Sequence, residues 1–346
     1  MQSTQRSGTE LYPLLFTPAY AERIWGGHLL KDKLGRILPE GKLPMGEAWE
    51  IYDRPMGSSV VENGPLKGKN LHWLMNEFRG PLLGNNSGCT VIGGKEYFPL
   101  LVKLLDSAQT LSLQVHPSAS DCLAMGRGEE KNELWYIIHA ERSARIFAGL
   151  SPFVSKTQFL DALESGGDLE ELLQSFDACP GDAYFIHAGR LHAIGAGVLL
   201  LEIQQNSDTT YRVSDWGRIT PDGTRRPLHI AEAMRCIDFA DRAVARITGP
   251  SDFSSHNRKY AILEECRYFQ VTDLKLVEEI YQNTESTNTF HLVTSIDHAV
   301  KVECSSGNVL IPAGRTCLIP ACTGRYKIVP QLEKEGETAD VILTTR

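Results

Sequence analysis

A nine-residue phrase occurs twice in this chain, and the repetition limits its architecture more than any other feature. Ile186-His-Ala-Gly-Arg-Leu-His-Ala-Ile194 and Ile311-Pro-Ala-Gly-Arg-Thr-Cys-Leu-Ile319 agree at five of nine positions, and each follows a short β-type run. Self-similarity around an Ala-Gly-Arg turn implies two copies of one structural unit. The copies differ where chemistry is concerned: the seventh position is His192 in the first and Cys317 in the second.

A second segment gives His192 company. Thr110-Leu-Ser-Leu-Gln-Val-His116 alternates strictly, so Leu111, Leu113 and Val115 share one face of a strand while Ser112, Gln114 and His116 share the other. One face feeds a core; the other presents a hydroxyl, an amide oxygen and an imidazole. Glu133 follows seventeen positions after His116, and with His192 the set reads as a metal site spread over one β-rich domain. Gln-x-His alone is equally compatible with a polar face that meets water.

Composition removes several functional classes. The chain has 346 residues, 42% hydrophobic, enough for a large core in two domains or one elaborate one. A formal charge of −8 argues against a nucleic-acid footprint, which needs clustered Lys and Arg. No apolar run approaches the roughly 18 residues that span a bilayer, and the start, MQSTQRSGTELYPLLF, has no signal-peptide core, so a cytoplasmic protein without membrane contact is expected. The eight cysteines form no C-x-x-C pair and are read as reduced, mostly buried small hydrophobes.

Along the chain, residues 1 to 150 carry short β-type runs broken by Gly and Pro, such as Pro44 to Ile51 and Phe98 to Leu105. Helical spacing of Phe159, Leu160, Leu163, Leu169, Leu172 and Leu173, interrupted at Gly166-Gly167, predicts two short helices within an insertion at about 152–176. Strands return at Ala183 to Ile186 and Val198 to Ile203. A second helical insertion is expected at 227–243, and β structure from about Arg258 to the end.

An I-P-A-G turn followed three residues after its glycine by a ligand histidine resembles the second motif of cupins, which are double-sheet jelly rolls. The expected fold is therefore mainly β: two cupin-like jelly-roll (double-stranded β-helix) units with short helical insertions. Residues 1–245 would form a catalytic domain, and residues 246–346 a degenerate unit without metal. More specifically, Phe98-Pro-Leu-Leu-Val-Lys-Leu-Leu-Asp106, Leu111 to Pro117, Lys131-Asn-Glu-Leu-Trp-Tyr136, Leu191-His-Ala-Ile-Gly195 and Leu201 to Arg212 resemble blocks of the type I mannose-6-phosphate isomerases in their short bacterial form. Ile24-Trp-Gly-Gly27 and Gly46-Glu-Ala-Trp-Glu50 are similar to that family's N-terminal blocks. The match runs in order from about residue 12 to residue 240. His187 departs from it by replacing a proline, which loosens a pre-set backbone near His192. Asn132 departs too, standing where relatives often carry Pro or Thr.

The resemblance implies that Gln114, His116, Glu133 and His192 bind one zinc per chain and that Arg212 is an active-site arginine. It also matches Lys103 to a lysine lining the substrate pocket. The implied reaction interconverts mannose 6-phosphate and fructose 6-phosphate through a cis-enediol, with Arg212 stabilising developing charge. Glu202 and Lys131 are the candidate proton-transfer groups, and Lys103 and Ser112 the candidate phosphate contacts. The expected partner is a small sugar phosphate, and the expected assembly a monomer or weak homodimer. Each assignment has a structural alternative. His116 can be a hydrogen-bonded core histidine, Lys103 a snorkelling stem, Arg212 a partner of Asp208 or Asp215, and Glu202 a satisfied buried carboxylate. Trp25 and Trp49 read as core or cavity wall. Two further functional classes remain open. One is a non-catalytic sugar-phosphate-binding or regulatory cupin; the other, another metal-dependent cupin enzyme, is disfavoured because no H-x-H-x-x-x-x-E run is present.

Overall fold

In the computed structural model, which describes residues 10–248 and 256–346, almost every strand pairs antiparallel within two compact units. Among the described residues no helix is long and apolar enough to cross a membrane. The units are not contiguous in sequence: one comprises Ala19–Trp49 and Leu100–Gly249, the other Met1–Pro18, Glu50–Pro99 and Pro250–Arg346. Residues 10–18 and the stretch Glu50–Pro99 fold with the C-terminal segment, so these units do not coincide with the expected 1–245 boundary. The physical reason is strand pairing. Leu14–Thr17 inserts between Thr316–Ile319 and Val60–Val61, with Leu15 opposite Cys317 and Phe16 opposite Val61.

The unit built on Ala19–Trp49 and Leu100–Gly249 has two sheets. In the seven-stranded sheet, the central strands Glu133–Ala140, Val198–Gln205 and Leu100–Ser107 are flanked by Ala183–Ile186 on one side and Met45–Ile51 on the other. The sequence Leu-Leu-Val-Lys-Leu-Leu-Asp-Ser is buried throughout, as a central strand covered on both faces requires. Leu173–Asp177, Arg145–Leu150, His192–Ile194, Leu113–Val115 and Tyr211–Ser214 make the second, five-stranded sheet. Trp135, Ile137, Leu200 and Leu105 of the first sheet share a core with Ile146, Ala148 and Ile194 of the second. The other unit likewise packs a seven-stranded sheet on a four-stranded one over Leu274, Val293, Val300, Ile311, Cys317 and Ile328.

The duplicated phrase performs the same task in both units. Each copy leaves one sheet (Ala183–Ile186, or Gly307–Ile311), turns, and enters the other (His192–Ile194, or Thr316–Ile319). In both turns the arginine N–H donates to the carbonyl three residues back, Arg190 to His187 and Arg315 to Pro312, each at 3.1 Å. Gly189 and Gly314 sit at φ 90° and 70°, a region a side chain disfavours, which is why the shared glycine is needed.

Several local expectations are corrected. The insertion holds the helix Lys156–Ser165, closed by Gly166 in a left-handed cap, then only a 3-10 turn Glu170–Leu172. Leu173–Asp177 is a strand, because its pairing with Arg145–Leu150 outweighs the helical spacing that runs up to Leu173. The second insertion is helical only over Ile230–Cys236. A thirteen-residue helix, Leu71–Leu83, capped by Asn70, lies in the region read as strands. Only Cys236 and Cys317 are buried; the other cysteines are half-buried or exposed, and all eight are free thiols.

Candidate metal centre and cavity

Two facing sheets deliver the site. On the five-stranded sheet the hydrogen-bonded part of the expected strand is Leu113–Val115, and Gln114 lies between His192 on one neighbour and Arg212 on the other. Cross-strand partners share a face, as do residues two apart, so Ser112, Gln114, His116, His192 and Arg212 all face one way. On the seven-stranded sheet two cross-strand rows oppose them: Glu133, Gln204 and Leu101, then Trp135, Glu202 and Lys103. The interior therefore grades from the apolar core around Ile137, Leu200 and Leu105 to a polar end.

At that end His116, Glu133 and His192 are fully buried, and their donor atoms all lie within 4.8 Å of one another. His116 Nε2 stands 3.3 Å from Glu133 Oε2, and His192 Nε2 stands 3.6 Å from Glu133 Oε1. Neither imidazole Nε2 nor either carboxylate oxygen has a hydrogen-bond partner. Lys131 Nζ approaches Glu133 Oε2 to 2.7 Å without hydrogen-bond alignment and balances its charge. The tautomers are set from behind: His116 Nδ1 donates to the Thr209 carbonyl at 3.0 Å, and His192 Nδ1 to the Arg190 carbonyl at 2.8 Å. A carbonyl can only accept, so each Nδ1 carries the proton and each Nε2 the free lone pair, the form a metal binds.

Electrostatics agree. Burial, then His116, lowers His192 to about 3, and burial, then Lys131, lowers His116, so both are neutral near pH 7. Burial works against ionisation of Glu133, but Lys131, His116 and His192 outweigh it and hold the carboxyl well below its usual range. Ligand atoms about 2.0–2.1 Å from a tetrahedral ion stand about 3.4 Å apart. The measured spacings fit, and four orphaned buried polar atoms at one point are costly unless something binds them. The residues present therefore suit a divalent metal.

Beside this cluster is a cavity of ≈ 490 Å³, whose lining includes Lys103, Ser112, Gln114, Lys131, Glu202 and Arg212. Lys103 Nζ donates to Glu202 Oε1 and Gln204 Oε1, each at 3.1 Å, and lies 4.9 Å from the Trp49 ring centroid. Burial lowers its basicity, but Glu202, Glu47 and Asp208 more than reverse this and raise it to about 12. Lys103 is thus a paired cation inside the sandwich rather than a snorkelling stem. Trp25, at 3% exposure, is both cavity wall and core.

Among the described residues Arg212 makes no ion pair. Its Nη1 donates to the Pro227 carbonyl at 2.8 Å while its buried Nε has no partner. Burial, then Arg226, lowers its pKa below the usual arginine value. Asp215 serves Arg218 and Arg226 instead, so the alternative in which Arg212 pairs with Asp208 or Asp215 is not what the described residues show.

Charged groups at the cavity that the sequence reading missed include Glu47, Arg23 and Arg226. Glu47 Oε2 accepts from Trp49 Nε1 at 2.7 Å and from Arg23 at 2.8 Å. Its place in Gly46-Glu-Ala-Trp-Glu50 was visible, but only strand pairing brings it beside Lys103. The two departures from the family pattern are absorbed locally. Asn132 donates twice to Gln205 Oε1, at 2.9 and 2.7 Å, and its Oδ1 accepts from Ala188 N at 2.9 Å, tying the Glu133 strand to the His192 turn. His187 Nε2 reaches Asp241 Oδ2 at 3.4 Å.

Comparison with known proteins agrees with this architecture. The family model for the phosphomannose isomerase type I catalytic domain matches residues 14–133. Mannose-6-phosphate isomerase ManA of Bacillus subtilis is 35% identical over 324 residues, 91% of this chain and 95% of that protein. The mannose-6-phosphate isomerase of Streptococcus mutans is 35% identical over 259 residues, 75% and 77% of the two chains. A crystal structure of the mannose 6-phosphate isomerase from Bacillus subtilis superposes with a TM-score of 0.78 at 32% identity, covering 96% of this chain and 99% of that one. With relatives at this identity over most of its length, and with a buried His/Glu/His cluster beside a charged cavity, the chain belongs to the type I mannose-6-phosphate isomerase family of enzymes.

Proposed function

We propose that this protein is a zinc-dependent aldose-ketose isomerase interconverting mannose 6-phosphate and fructose 6-phosphate through a cis-enediol. The observation that carries the reading is the convergence of His116 Nε2, His192 Nε2 and both Glu133 oxygens, buried and without hydrogen-bond partners, next to the charged cavity. Gln114, on the same face and directly opposite His192, supplies the fourth donor. Zinc bound there would act as a Lewis acid on the substrate's oxygens.

The chain's own residues do the rest. The proton leaves C2 of the open-chain aldose and returns at C1, so a base must reach both carbons from one side. Glu202 and Lys131 both border the cavity and are the two candidates. Lys103 holds Glu202 by its Oε1 and so orients that carboxylate. Arg212, with an unpartnered Nε, is available to the negative charge that develops on the enediolate oxygen. Ser112 and Lys103 are assigned to the substrate, and Arg226, a cation at the same cavity whose guanidinium is oriented by Asp215, joins them as a phosphate contact. One sugar phosphate is the expected partner, and cytoplasmic residence follows from the chemistry of phosphorylated sugars.

The test is interconversion of the two sugar phosphates by purified protein before chelation, after chelation and after zinc is restored. Activity that vanishes with chelator and returns with zinc is the expected result. Absence of turnover in zinc-loaded protein refutes the reading and revives the non-catalytic binding alternative, for which no structural feature speaks at present.

A further inference from the structure

Arg190 stands in the turn that delivers His192, yet it neither borders the cavity nor offers a ligand atom. It is 3% exposed and fully engaged. Its Nε and Nη2 donate to Asp241 Oδ2 and Oδ1 at 2.8 and 3.0 Å, a bidentate pair, and Nη1 donates to the Phe185 carbonyl at 2.9 Å. His187 Nε2, 3.4 Å from Asp241 Oδ2, adds a third partner, and Asp238 N donates to the Gly189 carbonyl at 2.9 Å. Residues 238–241 therefore grip the turn from outside. The same residue's carbonyl accepts the Nδ1 proton of His192.

The second copy of the turn separates the arginine's two connections. Arg315 also clasps distant carboxylates, Glu50 at 3.1 Å and Glu62 at 3.0 Å, but the residue two positions on is Cys317, which needs no aiming. The clasp is thus a device of the duplicated turn. Only in the first copy is it coupled to an imidazole.

We propose that the Arg190–Asp241 pair, completed by His187, is a positioning device for the metal: it fixes the carbonyl that sets the tautomer and aim of His192, and so sets how tightly the ion is held. The proposal rests on the metal reading above. Arg190 and Asp241 are positioning residues, since neither touches substrate or ion, and groups that orient a ligand from behind typically govern affinity by about 10–100-fold.

The experiment uses the full chain and the variants Asp241→Asn, Arg190→Lys and, as a control in the other copy, Arg315→Lys. Zinc affinity is read by competition with a chromophoric chelator, apo-protein stability by thermal unfolding, and kcat at saturating zinc. Asp241→Asn and Arg190→Lys are expected to bind zinc about 10–100-fold more weakly while kcat at saturating zinc stays within about two-fold. Arg315→Lys is expected to lower Tm and leave zinc affinity unchanged. Folded Asp241→Asn or Arg190→Lys protein with parental zinc affinity overturns the proposal, and so does an equal loss of affinity in Arg315→Lys, which would mark a general effect of destabilisation. If Asp241→Asn does not fold, Arg190→Lys, which keeps the charge, decides. Failure of both to fold makes the pair a folding determinant and overturns the positioning role. A parental protein that binds no zinc is a different result and defeats the metal reading itself.

Discussion

Asp106 offers a prediction whose size follows from the structure. Its carboxylate is fully buried, and Oδ2 accepts from Leu30 N at 2.9 Å, which pins the short helix Leu29–Asp32 just after Trp25. Oδ1 has no partner. Burial dominates over the backbone donors and raises the pKa from 3.8 to about 6. A carboxyl whose folded pKa lies above its unfolded value favours the folded state below the unfolded pKa and loses that contribution as pH rises through the folded pKa. Two pKa units correspond to about 3 kcal/mol at about 1.4 kcal/mol per unit, an upper figure because water can reach a relaxed site. Asp106→Asn removes the titration while its side-chain oxygen can still accept from Leu30. Urea unfolding of metal-free parent and variant at pH 4.5, 5.5, 6.5 and 7.5 measures the difference. The variant should gain on the parent by up to about 2 kcal/mol across this range, most of it before about pH 6.5, and then level off. A difference independent of pH would show that Asp106 does not change protonation there.

Two predictions concern the cavity. Glu202→Gln should lower kcat by about 10²–10⁴-fold with metal content unchanged, because Glu202 lies outside the ligand cluster; a loss below ten-fold, measured at saturating substrate, would shift proton transfer to Lys131. Arg226→Ala should raise KM for mannose 6-phosphate by about ten-fold or more, the loss of one charged hydrogen bond, while leaving the slow reaction of unphosphorylated mannose unaffected; equal losses with both sugars would refute the phosphate contact.

What the sequence made legible was local. The alternation around Gln114 and His116 depends only on the pleat of one strand, and the turn before His192 on one phrase, so both could be read without tertiary knowledge. The partners that complete the site come from elsewhere: Glu47 and Lys103 from different strands of one sheet, Arg226 through Asp215, and Asp241 about fifty positions beyond Arg190. Their pairings are set by sheet order, which periodicity does not encode. The same limit explains why neither the pairing of Leu14–Thr17 with Thr316–Ile319 nor that of Leu173–Asp177 with Arg145–Leu150 shows in the periodicity. The helix Leu71–Leu83 escaped for a local reason, since Gly80-Pro81 and the non-helical Phe78 interrupt its pattern.

Strand register also shows how the surroundings of the two copies of the duplicated phrase differ. In the first copy His192 lies opposite Gln114, and Ile186 opposite Glu133. In the second, Cys317 lies opposite Leu15, and Ile311 opposite Val300. Position by position, Gln114, His116, Glu133 and His192 therefore correspond to Leu15, Thr17, Val300 and Cys317, three of which lie in one apolar core. The histidine is one of four differences between the copies, so introducing it alone should not create a site. Cys317→His would place a larger, polar ring at a position with no exposure, beside Leu15 and Val293. Overpacking costs about 1–3 kcal/mol, and an unsatisfied buried polar group about 1–3 more, so the variant should lose about 2–6 kcal/mol in urea unfolding and still bind one metal per chain by elemental analysis. A second equivalent of metal at parental stability would mean that the apolar partners of Cys317 do not exclude an ion, and the correspondence drawn from register would fail.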